Sequence, residues 1–404
     1  MRVIRWSLIL MTLVSVMADT MLLPFYPQFF EESFGVSDPA HAGWYIAACC
    51  TTVMLCFPLW AKVARRWHEL PLWVVTQSVS AVLGVMCYLT ESLLTFWIVS
   101  QLMLMMKASY LLIYPFAIRL EGTGKIGGFV ALFAVLMHIG TISGAVLGGY
   151  LLQFWDGRDA YLVMIASDLV QIVICIALML ALKIRLTEPG YTPAEVADTP
   201  RSPMVMKLAV VAMLFYFSVF LIRPFFTLYW ADISFAPWNG EFPSSLVYAI
   251  PAIIALLTVV WQRIKAPQLT SQQLLIRGLL VILVGLVLQG LGDPLWTVIG
   301  RLIFGWGLFM GVVHIEVLLF AHSRPERFGE DFSRVHLGQN IGIILASFAA
   351  GALVSDVSHI AVFAAATAGI VAVVMVAWRL GVFARTAGPE EPDHSIKDAE
   401  EAIS

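Results

Sequence analysis

Twelve apolar stretches, each about the roughly 20 residues that a bilayer-crossing helix needs, recur along this chain with short polar connections between them. They fall near 6–30, 43–61, 71–90, 93–118, 128–153, 160–182, 207–231, 245–263, 274–291, 294–320, 335–356 and 359–380. In hydrocarbon every backbone N–H and C=O must find its partner within the segment, so each stretch is predicted to be a helix. The composition agrees: of 404 residues, 60% are hydrophobic and 13% charged, more apolar surface than a soluble domain has interior to hide. The chain therefore reads as an all-α membrane protein of twelve transmembrane helices, with the lipid bilayer as its first partner.

Other classes fall away. A net charge of −3 gives no basic surface for nucleic acid. Cys49, Cys50, Cys56, Cys87 and Cys175 all lie inside apolar runs, which predicts small buried residues and no disulfide framework or metal site. Gly122-Thr-Gly124-Lys125 lacks both the first glycine of a phosphate-binding loop, replaced by Arg119, and its Ser or Thr, replaced by Ile126. No HExxH, GxSxG or CxxC site appears and no soluble domain is large enough for catalysis, so no enzyme activity and no cofactor are expected. The basic N-terminus before an apolar run suits a signal peptide superficially. Asp19 interrupts that run, it continues to Phe30 and no A-x-A site follows, so it is read as a retained helix 1.

Lys and Arg concentrate in alternate connections, among them Lys62, Arg65, Arg66, Arg119, Lys125, Lys183 and Arg185. The opposite loops hold Arg158 amid Glu31, Glu32, Asp38, Asp156, Asp159, Asp232 and Glu241. The positive-inside rule then predicts that both termini are cytoplasmic, as in a multi-pass protein of the cell inner membrane. The longest internal polar stretch divides the helices six and six. This gives an N-terminal bundle over 1–183, a linker over 184–206, a C-terminal bundle over 207–384 and an acidic tail, 385–404, expected to be disordered. The halves repeat. Leu22-Leu23-Pro24-Phe25-Tyr26 in helix 1 matches Ile222-Arg223-Pro224-Phe225-Phe226 in helix 7. Gly140, Gly144, Gly148 and Gly149 in helix 5 match Gly342, Ala346, Ala350 and Gly351 in helix 11.

Five charges lie deep by counting about 1.5 Å per residue: Asp19, Lys107, Asp168, Arg223 and Arg301. Each costs roughly 2.5–3.5 kcal/mol to insert, so each is a functional candidate by default. Internal pairing of Asp19 with Lys107 or Arg223 is one reading; an anionic ligand is the other, if Lys107, Arg223 and Arg301 share a cavity with Asp19.

Twelve helices in two repeated halves, with a central loop, resemble the major facilitator superfamily. Gly140-Thr-Ile-Ser-Gly144-Ala145-Val-Leu-Gly148-Gly149 resembles that family's antiporter signature, with Ala145 in place of proline, and Asp19 to Pro24 is similar to helix 1 of its drug exporters. The resemblance implies two pseudo-symmetric six-helix bundles with helices 1, 4, 7 and 10 lining a cavity. It places Asp19, Lys107, Arg223 and Arg301 on the cavity wall and Asp168 outside it, in a structural role. It also implies proton-coupled export by alternating access of a small amphiphilic or anionic organic molecule, such as a drug or a carboxylate siderophore. In that reading the chain is a monomer. Asp19 and Glu316 are its proton-coupling candidates, Lys107, Arg223 and Arg301 its substrate cations, and Tyr26, Tyr114 and Phe226 its stacking aromatics. The arginine usual in helix 4 is Gln101 here; a similar Arg-then-Gly pattern occurs in helix 10, from Arg301 to Gly307. The loop after helix 2 departs from the family pattern, with Lys62 at the aspartate position. A charge-swapped gate is expected, Lys62 or Arg66 facing Glu330 and Asp331. An importer or uniporter of an organic anion, and a non-transporting sensor or scaffold, stand beside this reading.

Overall fold

The computed structural model describes residues 2–64, 66–113, 116, 126–183, 202–264, 269–323 and 328–383. Tyr114, the loop residues 122–125, most of the expected linker (184–201) and the acidic tail lie outside them. Twelve helices are long and apolar enough to cross a membrane: helix 1 (Ile4–Phe34), 2 (Pro39–Val63), 3 (Glu69–Leu89), 4 (Leu93–Leu112), 5 (Val135–Phe154), 6 (Asp159–Leu182), 7 (Pro203–Ile233), 8 (Glu241–Trp261), 9 (Ser271–Gln289), 10 (Pro294–His322), 11 (Glu330–Asp356) and 12 (His359–Arg379). No strand occurs among the described residues.

Polar caps set where many of these helices begin. The Asp38, Ser92, Asp293 and Ser358 side chains accept from backbone N–H groups at the starts of helices 2, 4, 10 and 12, and Thr270 with Gln273 closes a capping box on helix 9. Helix 7 starts at Pro203, four residues before the apolar window suggested, because proline suits a first turn whose N–H has no partner.

The sequence repeat has a local structural counterpart. Helix 1 breaks at a 3-10 turn over Leu23–Phe25 and helix 7 at one over Arg223–Phe225. Pro24 and Pro224 each remove an N–H that would have bonded four residues back, which frees a carbonyl at mid-span. The contacts follow the same symmetry. Helix 1 packs on 5 and 6 as helix 7 packs on 11 and 12, and helix 3 on 6 as helix 9 on 12.

Call the side where helix 1 begins and helix 12 ends the terminal face, and the opposite side the far face. The halves are zipped together toward the far face. A Cβ on Gly149 of helix 5 would lie 2.6 Å from the Glu241 carbonyl and 2.7 Å from Ser245 Cβ of helix 8. A Cβ on Gly43 of helix 2 would lie 2.6 Å from the Ser347 carbonyl and 3.0 Å from Gly351 Cα on helix 11. Gly351 is the repeat mate of Gly149, so one small-residue contact is made twice about the pseudo-dyad. The Phe242 N–H donates to Gln153 Oε1 (2.8 Å), Gln28 Nε2 donates to Thr227 Oγ1 (3.1 Å), and the Thr227 hydroxyl donates to the Pro24 carbonyl. At the same rim Glu241 comes within electrostatic range of Glu32, as does Asp156.

Candidate functional site

Helix 4 carries the first group of charges. It is α-helical from Leu93 to Lys107 and tightens to a 3-10 turn over Ala108–Leu112, a change of winding that leaves carbonyls needing partners. Two indoles supply them: Trp60 Nε1 donates to the Met105 carbonyl (2.6 Å) and Trp73 Nε1 to that of Ser109 (3.0 Å). Lys107 is thereby held at the seam of helices 1, 3, 4 and 6. Its ammonium lies 2.7 Å from Asp168 Oδ1 and 3.2 Å from Asp19 Oδ1. The Ser80 hydroxyl donates to Asp168 Oδ2 (2.7 Å) and that of Ser15 to Asp19 Oδ2 (3.3 Å). Asp168 is 1% exposed, whereas the Asp19 side chain is 38% exposed.

The structure thus joins Asp19 and Lys107, as the internal-pairing reading anticipated. It also brings in Asp168 from helix 6, which sequence reasoning had set apart. Ser80, Trp60 and Trp73 were missed. Serine and tryptophan in apolar helices look like ordinary packing, and only their partners reveal these roles.

Helices 7 and 10 carry the second group. Arg223 opens the 3-10 turn of helix 7, is half-buried, and makes no hydrogen bond or ion pair with the described residues. His138 of helix 5, Tyr216 and Arg301 lie within its electrostatic reach. Glu316 of helix 10, also half-buried and without a hydrogen bond or ion pair among the described residues, acts on the same Tyr216.

Arg301 behaves differently. It is 4% exposed. Its Nε donates to the Val247 carbonyl (3.3 Å) and a terminal nitrogen to that of Tyr248, while the guanidinium lies 3.9 Å from the Phe226 ring centroid. Pro251, inside helix 8, explains this partner choice. It has no N–H to offer the carbonyl four residues back, which is Val247. Gly305, one turn beyond Arg301, gives Pro251 room; a Cβ there would lie 2.7 Å from Pro251 Cα. Arg301 and Phe226 therefore meet each other and helix 8, both buried. Tyr26 is half-buried, with its ring 4.9 Å from that of Tyr45.

The glycine motif serves two faces. Gly140, Gly144 and Gly148 pack helix 5 onto Val16, Met17 and Met21 of helix 1, beside its break, while Gly149 faces helix 8. Among the gating residues, Lys62 and Arg66 are exposed. Asp331 accepts from Ser323 (2.5 Å) and Glu330 pairs with Arg334 (3.2 Å), all within the C-terminal half. His138 and Asn340 are half-buried. An apolar groove of about 490 Å³ beside helices 7, 8 and 10, lined by Trp230, Phe235, Trp238, Leu246, Pro294 and Leu295 among others, holds none of these charges.

A profile described as the Major Facilitator Superfamily matches residues 8–288. No curated protein sequence matches significantly. Solved structures are similar in fold at low identity. An auto-inhibited peptide transporter of the POT family has a TM-score of 0.76 at 12% identity, covering 96% of this chain and 99% of that one. The human organic anion transporter MFSD10 (TETRAN) gives 0.68 at 15%, covering 92% and 97%, and the nucleoside transporter NupG gives 0.67 at 11%, covering 94% and 99%. With the profile spanning more than half of its length, the chain belongs to the Major Facilitator Superfamily and is a multi-pass membrane transporter rather than an enzyme.

Proposed function

We propose that this protein is a proton-coupled exporter of a small anionic or amphiphilic organic molecule, working by alternating access in the cell inner membrane with both termini cytoplasmic. The observation that carries the substrate sign is Arg223. A half-buried guanidinium with no described partner, at a proline break in helix 7, is a cation in want of an anion. Asp19 carries the proton: it is the more exposed carboxylate of the Lys107 cluster, and Glu316 is a second candidate in the other half. Lys107, engaged by two carboxylates, belongs with coupling rather than with substrate. Tyr26 stacks against the ligand, and Tyr114, outside the described residues, remains a candidate for the same task. Arg301 and Phe226 support that wall from behind.

In this reading the structure, with its halves in contact toward the far face, is a state that loads from the cytoplasm. Lys62 or Arg66 meets Glu330 and Asp331 in the opposite state, when the terminal face shuts. Export rests on the helix 5 glycines. The structural neighbours transport peptides, nucleosides and organic anions by their descriptions, so the fold leaves the substrate open and Arg223 narrows it.

The test compares small molecules in cells and medium with and without the protein, under iron-rich and iron-starved growth. A compound kept in cells when the protein is missing supports export; one left in the medium reverses the direction. In the same assay Arg223→Ala is expected to cost about 10–100-fold in apparent affinity, the worth of a charged hydrogen bond. Transport of an anion unaffected by Arg223→Ala would remove the basis for the substrate class.

A further inference from the structure

We propose that Asp168 is a positioning residue for proton binding: by competing with Asp19 for Lys107, it keeps the more exposed carboxylate ready to accept a proton. This rests on the reading of Asp19 as the proton carrier and adds a group on helix 6 that sets how that carrier works.

The argument begins with a count of charges. Two carboxylates share one ammonium, so the cluster carries a surplus negative charge when all three groups are ionised. Contact distance and access to water decide where that surplus is neutralised. Asp168 is 1% exposed and holds Lys107 at 2.7 Å, with Ser80 donating to its other oxygen. A buried carboxylate cannot give up its cation cheaply, because one serine hydroxyl is a poor replacement for water. Asp19 is the more exposed member, holds the same ammonium less closely at 3.2 Å, and has a longer serine contact. It is the member that can take a proton from the aqueous side. Once it does, Lys107 and Asp168 remain as a neutral buried pair and the surplus is gone.

No other charge among the described residues is placed to do this. Helix 3 turns Ser80 and Gln77 inward, neither ionisable, and helix 5 presents Gly140 and Gly144 to this stretch of helix 1. The Tyr26 and Tyr110 phenols lie within electrostatic range of Asp19, and Tyr110 donates to Thr12 (3.2 Å). On helix 6 itself, Cys175 lies two turns beyond Asp168. Without Asp168, Lys107 would be given over wholly to Asp19, and an acid beside an undivided ammonium holds its charge to lower pH.

The experiment needs no substrate. The full chain in lipid discs is titrated with acid while infrared difference spectroscopy follows the carboxylic acid C=O band. The chain has 27 aspartates and glutamates, so the Asp19 band is the part of the growth on acidification that Asp19→Asn removes. Asp168→Asn keeps the band but moves its half-point down by about 1–3 pH units, and Asp168→Glu returns it toward the wild type. Ser80→Ala, a milder change that serves if Asp168→Asn does not fold, moves the half-point upward. An Asp168 deprived of its hydroxyl leans harder on Lys107 and loosens the hold on Asp19. A half-point unmoved by Asp168→Asn, or by Ser80→Ala where that variant stands in, overturns the role of Asp168 while leaving the carrier reading intact. An acid-induced band that Asp19→Asn leaves unchanged overturns both.

Discussion

Lys107 has two carboxylates within ion-pairing distance and one charge to divide between them. Removing that charge should be among the most damaging single changes in the N-terminal half. Lys107→Met strands Asp168 in a site with almost no water, a loss of about 3–5 kcal/mol by analogy with other broken buried pairs. Lys107→Met with Asp168→Asn should cost less than Lys107→Met alone, because no charge is left behind at the buried position. Unfolding of the purified variants in micelles would measure both. The single variant should regain stability as the medium is acidified, since protonation neutralises the stranded carboxylate. The depth of Asp19, Lys107 and Asp168 was legible in the sequence, because a charge far from either end of an apolar run is costly wherever it faces. Their partnership was legible in part: Asp19 with Lys107 stood as one of two open pairings and Asp168 in neither, because counting along a helix gives height in the membrane but not the direction in which a side chain points. That is why Asp168 looked detached from the others and Arg301 looked free to meet a ligand.

Elements follow the same division between what is local and what is not. Caps, proline starts and helix-breaking prolines act within a few residues, and the match between Leu23-Pro24-Phe25 and Arg223-Pro224-Phe225 reappears as two 3-10 turns. The partnership of Arg301 with helix 8 is a long-range consequence of a local event, the N–H missing at Pro251. It yields a double-mutant prediction. Arg301→Met should destabilise the protein by about 1–3 kcal/mol, the cost of leaving a buried carbonyl unsatisfied. In a Pro251→Ala background much of that loss should disappear, because the substitution restores a backbone N–H that can donate to the Val247 carbonyl. Equal losses in both backgrounds, read from thermal unfolding, would show that Arg301 acts through Phe226 instead.

At the scale of the whole molecule, the two halves meet through a contact made twice, Gly149 on Ser245 and Gly43 on Gly351. These glycines are expected to govern the balance between states more than the stability of either half. Gly149→Ala would push a methyl against the Glu241 carbonyl and favour opening of the far face. Gly148→Ala would collide with the Met21 carbonyl inside the N-terminal bundle and weaken that bundle instead. Spin-label distances between the far-face ends of helices 5 and 8 should lengthen in the first variant and stay put in the second, whose melting temperature should fall.

The acids at that rim give the seam a spring. At the closed far face Glu241 of one half is within range of Glu32 of the other, beside Asp156, so the glycine and backbone contacts close against a like-charge repulsion. Ions of the surrounding medium shield such a force over roughly 8–10 Å. The resting position of this transporter is therefore expected to follow the saltiness of whatever lies beyond its far face: dilute surroundings should press it open, and briny ones should let it shut.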